Sequence, residues 1–252
     1  MQILRWLRPC LLVFFASGSW LSAAQDQPLT LVVDNYPPYI DELAQPQGVL
    51  TALVQLSFQS SGVATEVQFL PWQSVPAAAQ KANSASFLWF KSTKLEQDWL
   101  FSDALVDIKQ QLIGRTEQSF QPTRWDELRP YRLGVTANYF YGAEFEQVKA
   151  DFQLEVAVSD YVSLQNLLSG KVDYVLMDPV VAHQLLKQLP ASTAKVRYLS
   201  KPALTAQRAY LVCSRNYLPC VDIIRKFNLG LARQRKAGLD LQLFGTGVAT
   251  SR

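Results

Sequence analysis

Ser163-Leu-Gln-Asn-Leu-Leu-Ser-Gly-Lys-Val-Asp-Tyr-Val-Leu-Met-Asp178 changes its hydrophobic period from helical to extended across one glycine. An amphipathic helix therefore ends at Gly170, a short buried strand follows, and the strand delivers a carboxylate at its C-terminal end. In open α/β sheets ligands sit outside the carboxyl ends of the strands, which makes Asp178 a candidate ligand contact. A second reading is local: Asp before Pro179 is also a good N-cap for the helix that begins there.

Outward from this stretch, strands and helices alternate. Leu29–Val33 reads as a buried strand, ended by Asp34-Asn-Tyr-Pro-Pro-Tyr39, where two prolines interrupt both helix and ladder. Gly48 to Ser60 reads as a helix with Leu50, Leu53, Val54, Leu56 and Phe58 on its apolar face, 65–69 as a strand, Pro71-Trp72 as the start of a helix to about Lys81, and 86–90 as a strand. This βαβαβ pattern predicts a parallel sheet wrapped by helices. It recurs as a strand at 132–136, a helix at 141–152, a strand at 154–158, a helix at 162–168 and a strand at 172–177. The extended segments 105–113 and 196–211 are candidate crossings between two lobes, and 220–236 and 239–244 read as helices. The expected division is a first lobe of residues 25–110, a second of 111–200, and a return of 201–252 to the first lobe with C-terminal helices. Two α/β lobes joined by two crossings form a cleft that closes by hinge motion and holds a ligand between them.

The first 24 residues carry Arg5 and Arg8, the apolar run 11–16 and small residues at 22–24, the pattern of a cleavable secretory signal. The expected compartment is the periplasm. Cleavage removes Cys10 and leaves Cys213 and Cys220, which either form a disulfide across a turn-like segment or remain as two buried thiols. It also lowers the formal charge from +3 to about +1, too little to suggest a nucleic acid or an anionic membrane as partner. The single histidine, His183, excludes a multi-histidine zinc site and reads as a surface or packing residue, so neither metal nor cofactor is expected.

Taken in order, Asp34–Tyr39, Gly48, Leu70-Pro-Trp72, Asp98-Trp-Leu-Phe-Ser-Asp103, Trp125–Leu128 with Leu133-Gly-Val135, Tyr141-Gly142, and Ser169–Asp173 leading to Asp178 resemble periplasmic solute-binding protein family 3 over the whole mature chain. That family serves polar amino acid ABC importers and has the two-lobe type 2 periplasmic-binding fold. The resemblance implies a monomer that captures a small polar or amphipathic solute, amino-acid-like or an amine, for ABC-type import. The same fold leaves open a sensory module for a membrane receptor, and a cyclic-acid dehydratase using Asp34 and Asp178. No Ser-His-Asp or Cys-His set is evident, and no catalytic role is assigned.

The resemblance places Tyr36 where the family packs an aromatic on its ligand, and Asp178 where a carboxylate receives a ligand ammonium. The arginine that grips the ligand carboxylate falls on Leu95, the polar residues before it on Phe87, Leu88 and Phe90, and an assisting threonine on Phe140. Two readings follow. Lys91 or Lys94 supplies the positive charge from a shifted position and keeps an anionic or zwitterionic ligand, or the pocket is aromatic, with Tyr36, Tyr39, Trp72, Trp89, Phe90, Tyr139 and Phe140 as lining or core, and takes an amine or a larger apolar solute. The expected ligand contacts are Tyr36, Trp72, Phe90, Lys91, Tyr139, Phe140 and Asp178.

Overall fold

The computed structural model describes residues 27–190 and 195–239. The signal at 1–24 and nearly all of the expected helix at 239–244 lie outside the described residues. Two sheets organise the chain. The first is built from β1 (Leu29–Val33), β2 (Thr65–Phe69), β3 (Ser84–Phe90), β4 (Trp99–Phe101), β5 (Val106–Ile108) and β11 (Gln207–Ser214), in the order β2-β1-β3-β11-β4 with β5 also paired to β11. The second is built from β6 (Gln111–Arg115), β7 (Arg132–Thr136), β8 (Gln153–Ala157), β9 (Tyr174–Met177) and β10 (Val196–Leu199), in the order β10-β6-β9-β7-β8. Sheet membership changes between Ile108 and Gln111 and again between Leu199 and Gln207.

The sheets are mixed, against the expectation of parallel ones. β1, β2 and β3 run parallel, as do β7, β8 and β9, but β11 is antiparallel to β3 and β6 is antiparallel to β9. The reason is topological. A strand that arrives from the other lobe enters its sheet at the cleft edge and must run away from it, whereas β1 and β3 run toward it.

Helices α1 (Val49–Gln59), α2 (Val75–Ala79), α3 (Leu95–Asp98) and α7 (Cys220–Lys236) belong to the first sheet, and α4 (Ala143–Val148), α5 (Asp160–Leu168) and α6 (Pro179–Leu186) to the second. Two expected helices are shorter than their hydrophobic period. Residues 72–81 divide into a 3-10 turn at Trp72–Ser74 and α2, because Pro76 has no N–H to continue a helix but suits the first turn of a new one. The expected helix at 141–152 starts only at Ala143, after Gly142 at φ 107°, and ends in a 3-10 turn at Lys149–Asp151. On α1, Leu56 is half-buried, and the buried face takes Thr51 and Ser57, the latter satisfied by a 2.7 Å hydrogen bond to the Leu53 carbonyl.

The core of the first lobe gathers Leu31, Leu53, Phe58, Phe87, Leu211 and Phe227. Phe58 and Phe227 pack with ring centroids 4.9 Å apart where α1 and α7 meet at Gly230, whose added Cβ would lie 1.8 Å from the Ser57 carbonyl oxygen. Cys213, at the end of β11, is bonded to Cys220, at the start of α7, with Cα atoms 5.6 Å apart. Val181 of α6 also packs into this core, joining the second lobe to the first. His183 lies exposed on α6.

Candidate ligand-binding site

The loop after β1 is held by α1. The first free amides of α1, Val49 and Leu50, donate to the carbonyls of Pro38 and Tyr39 at 3.1 and 2.9 Å. These bonds satisfy donors that a helix start leaves open. Gly48, at φ 92°, permits the contact: a Cβ there would lie 2.4 Å from the Tyr39 oxygen. Tyr36 and Tyr39 are thereby fixed, with stacked rings 5.8 Å apart.

On β3, Leu88 adopts φ 67°, beside a register shift against Tyr210 and Leu211 of β11. A branched residue in the left-handed region is an outlier, and bulges of this kind re-aim neighbouring side chains. Phe87, Leu88, Trp89 and Phe90 all reach the cleft as a result.

A cavity of about 1010 Å³ lies between the lobes. Of the expected contacts, Tyr36, Trp72, Phe90 and Lys91 line it from the first lobe, and Tyr139 and Phe140 from the second. Tyr36 and Tyr139 meet across it, edge to face, with centroids 6.0 Å apart. Leu95, where the resemblance places a carboxylate-gripping arginine, lines the cavity as an apolar side chain. Lys91 is ion-paired to Glu96 at 2.7 Å and lies 5.6 Å above the Phe101 ring. Lys94 is exposed and does not line the cavity.

Asp178 stands one layer behind the lining. It is 2% exposed, and of the two sequence-based readings of its position the helix cap is the one present there. Its Oδ1 accepts from the Val180 N–H at 2.7 Å, the N-cap bond of α6, while its Oδ2 accepts from the Tyr39 hydroxyl at 3.1 Å. Burial pushes its pKa up to about 6, against the pull of those two hydrogen bonds. Burial also raises Asp34, which lines the cavity at the end of β1.

Sequence reasoning missed Asp160 and Gln110. Asp160 opens α5 and is 7% exposed; its Oδ1 accepts from the Thr136 hydroxyl at 2.6 Å and its Oδ2 from the Tyr139 hydroxyl at 3.4 Å. Burial raises its pKa too. It follows the carboxyl end of β8 as Asp178 follows that of β9, so the rule that selected Asp178 could have selected it. Gln110 lies on the crossing between β5 and β6, 8% exposed, and its Oε1 has no hydrogen-bond partner. Nothing in its sequence neighbourhood signals that placement. No ion pair among the described residues involves Asp34, Asp160 or Asp178, and those residues hold no His/Cys/Asp/Glu group able to bind a metal. The cavity lining itself carries one acidic side chain, Asp34, and one basic side chain, Lys91.

Comparison with solved structures places this architecture. A histidine kinase sensor domain similar to periplasmic binding proteins superposes with a TM-score of 0.73 at 17% identity, over 89% of this chain and 98% of that one. The arginine-, lysine-, histidine-binding protein ArtJ from Geobacillus stearothermophilus gives 0.70 at 16% identity, over 90% and 97%. The VFT2 domain of BvgS from Bordetella pertussis gives 0.70 at 16%, over 87% and 92%. The fold is the two-lobe type 2 periplasmic-binding fold. At these identities the likeness fixes the architecture alone. No protein-family model matches the chain, and no curated protein matches it. The neighbours of this periplasmic-binding fold named here are a binding protein, a histidine kinase sensor domain and the BvgS VFT2 domain.

Proposed function

We propose that this protein is exported to the periplasm through its N-terminal signal and, as a monomer, captures a small cationic, amphipathic solute by closing its two lobes, residues 25–110 with 201–252 and residues 111–200. One observation carries the reading: Asp34 in the cavity lining, and Asp160 and Asp178 buried behind it, have no ionic partner among the described residues, and Leu95 stands where an amino-acid clamp would put arginine. A carboxylate-bearing ligand would enter beside like charges and lose its hydration without a bidentate partner. An ammonium finds Asp178 or Asp160 and the faces of Tyr36, Trp72 and Tyr139.

Delivery to an ABC importer is the downstream role this reading favours, since ArtJ and other neighbours of the fold are amino acid binding proteins. The likeness to a histidine kinase sensor domain supports the second reading, a module that presents its liganded state to a membrane receptor. No turnover belongs to either role, and a cyclic acid would meet Lys91 as the one basic side chain in the lining.

Native mass spectrometry of protein purified from the periplasm without refolding tests the ligand class. A retained amine is the expected result. A retained simple α-amino acid would overturn the reading.

A further inference from the structure

Asp178 and Asp160 are built alike. In each, one carboxylate oxygen is firmly engaged, Asp178 Oδ1 by the Val180 N–H at 2.7 Å and Asp160 Oδ1 by the Thr136 hydroxyl at 2.6 Å. In each, the other oxygen accepts a long bond from a tyrosine hydroxyl, 3.1 Å from Tyr39 and 3.4 Å from Tyr139. Both exceed the ordinary O–H···O range. Tyr36 stands between the pairs, stacked on Tyr39 and edge-on to Tyr139, with its hydroxyl in the field of both carboxylates. A separate observation concerns hydrogen bonding. The buried Oε1 of Gln110, on the wall of the same cavity, is a further acceptor without a donor.

Two buried carboxylates without an ion pair behind the cavity lining, with the unpartnered Gln110 acceptor on its wall, call for a ligand that brings only donors and more than one positive charge. A single ammonium would leave one buried carboxylate uncompensated. Building on the proposed cationic ligand, we infer that the cleft has two ammonium seats, Asp178 with Tyr39 and Asp160 with Tyr139, bridged by Tyr36, and that it takes a linear diamine. Each ammonium displaces one long tyrosine bond, and the alkyl chain between them lies on Tyr36.

Calorimetry on the mature protein tests this with 1,4-diaminobutane, 1,5-diaminopentane and 1,6-diaminohexane, each against the 1-aminoalkane of the same length. A desolvated charge pair predicts that the best diamine binds at least about tenfold tighter than its monoamine, with one length preferred. In Asp160→Asn that ratio falls to about one. Equal binding of diamines and monoamines to the unmodified protein overturns the second seat and leaves the cationic-solute reading standing, and needs no variant to fold. Binding of neither amine class overturns both. A ratio that persists in Asp160→Asn overturns the assignment of the second seat to Asp160.

Discussion

The Tyr39 hydroxyl donates a 3.1 Å hydrogen bond to Oδ2 of Asp178, linking the loop after β1 in one lobe to the strand-helix junction of the other. Asp178 thus caps a helix, receives an inter-lobe bond and falls where the resemblance puts the carboxylate that receives a ligand ammonium. The roles separate by magnitude. Replacing it by Ala removes an N-cap, worth ~1 kcal/mol of stability, but leaves a ligand cation unpaired at a cost of about 2–5 kcal/mol. Asp178→Ala is expected to lower the melting temperature by a few degrees and the affinity by much more, both read on the same preparation. A variant with unchanged affinity would take Asp178 out of the site.

Much of the fold was legible in the sequence, since alternating periods of 2 and 3.6 mark β1, α1, β7, α5 and β9 directly. Strand direction was not, because periodicity carries no information on which way β11 or β6 enters its sheet. Pro76 and Gly142 shortened two helices that hydrophobic spacing alone extends. For the site, the aromatic character was visible, but the position of each ring depends on the Leu88 bulge and on the meeting of two lobes distant in sequence. Asp160 was hidden by its ordinary look as a residue in the first turn of a helix.

Acidity should act oppositely on stability and on binding. Burial raises the Asp178 carboxyl to about 6, and raises Asp160, so the folded protein takes up these protons more readily than the unfolded chain does. The contribution of Asp178 to stability is therefore present at acid pH and is lost as pH rises from about 4 to about 6, and Asp160 acts in the same direction. Capture of a cation needs the ionised form, and affinity should fall as pH drops below about 6. Thermal melts and calorimetry across that window check it; an affinity that rises on acidification would be inconsistent with a carboxylate seat.

Denatured, unreduced mature protein should contain no free thiol, because Cys213 and Cys220 are joined. Cys213→Ser should cost roughly 2–3 kcal/mol through the short loop that the bond closes. Two titratable thiols in the exported protein would refute the pairing.

At Gly230 the backbones of α1 and α7 approach so closely that no side chain fits. Gly230→Ala should force the helices apart and destabilise by about 1–3 kcal/mol, despite the better helix propensity of alanine. Chemical denaturation measures it, and a stabilised variant would mean that the helices do not meet there.

The proposed ligand is a cation without a carboxylate. Tyramine and tyrosine share ammonium and ring and differ in the α-carboxylate, so calorimetry of the pair isolates that group. Tyramine should bind at least about tenfold tighter, because the carboxylate keeps its desolvation cost in a cleft with Leu95 in place of arginine. Tyrosine binding as tightly or more so, with the preference abolished by Lys91→Ala, would contradict the account and put the carboxylate clamp at Lys91.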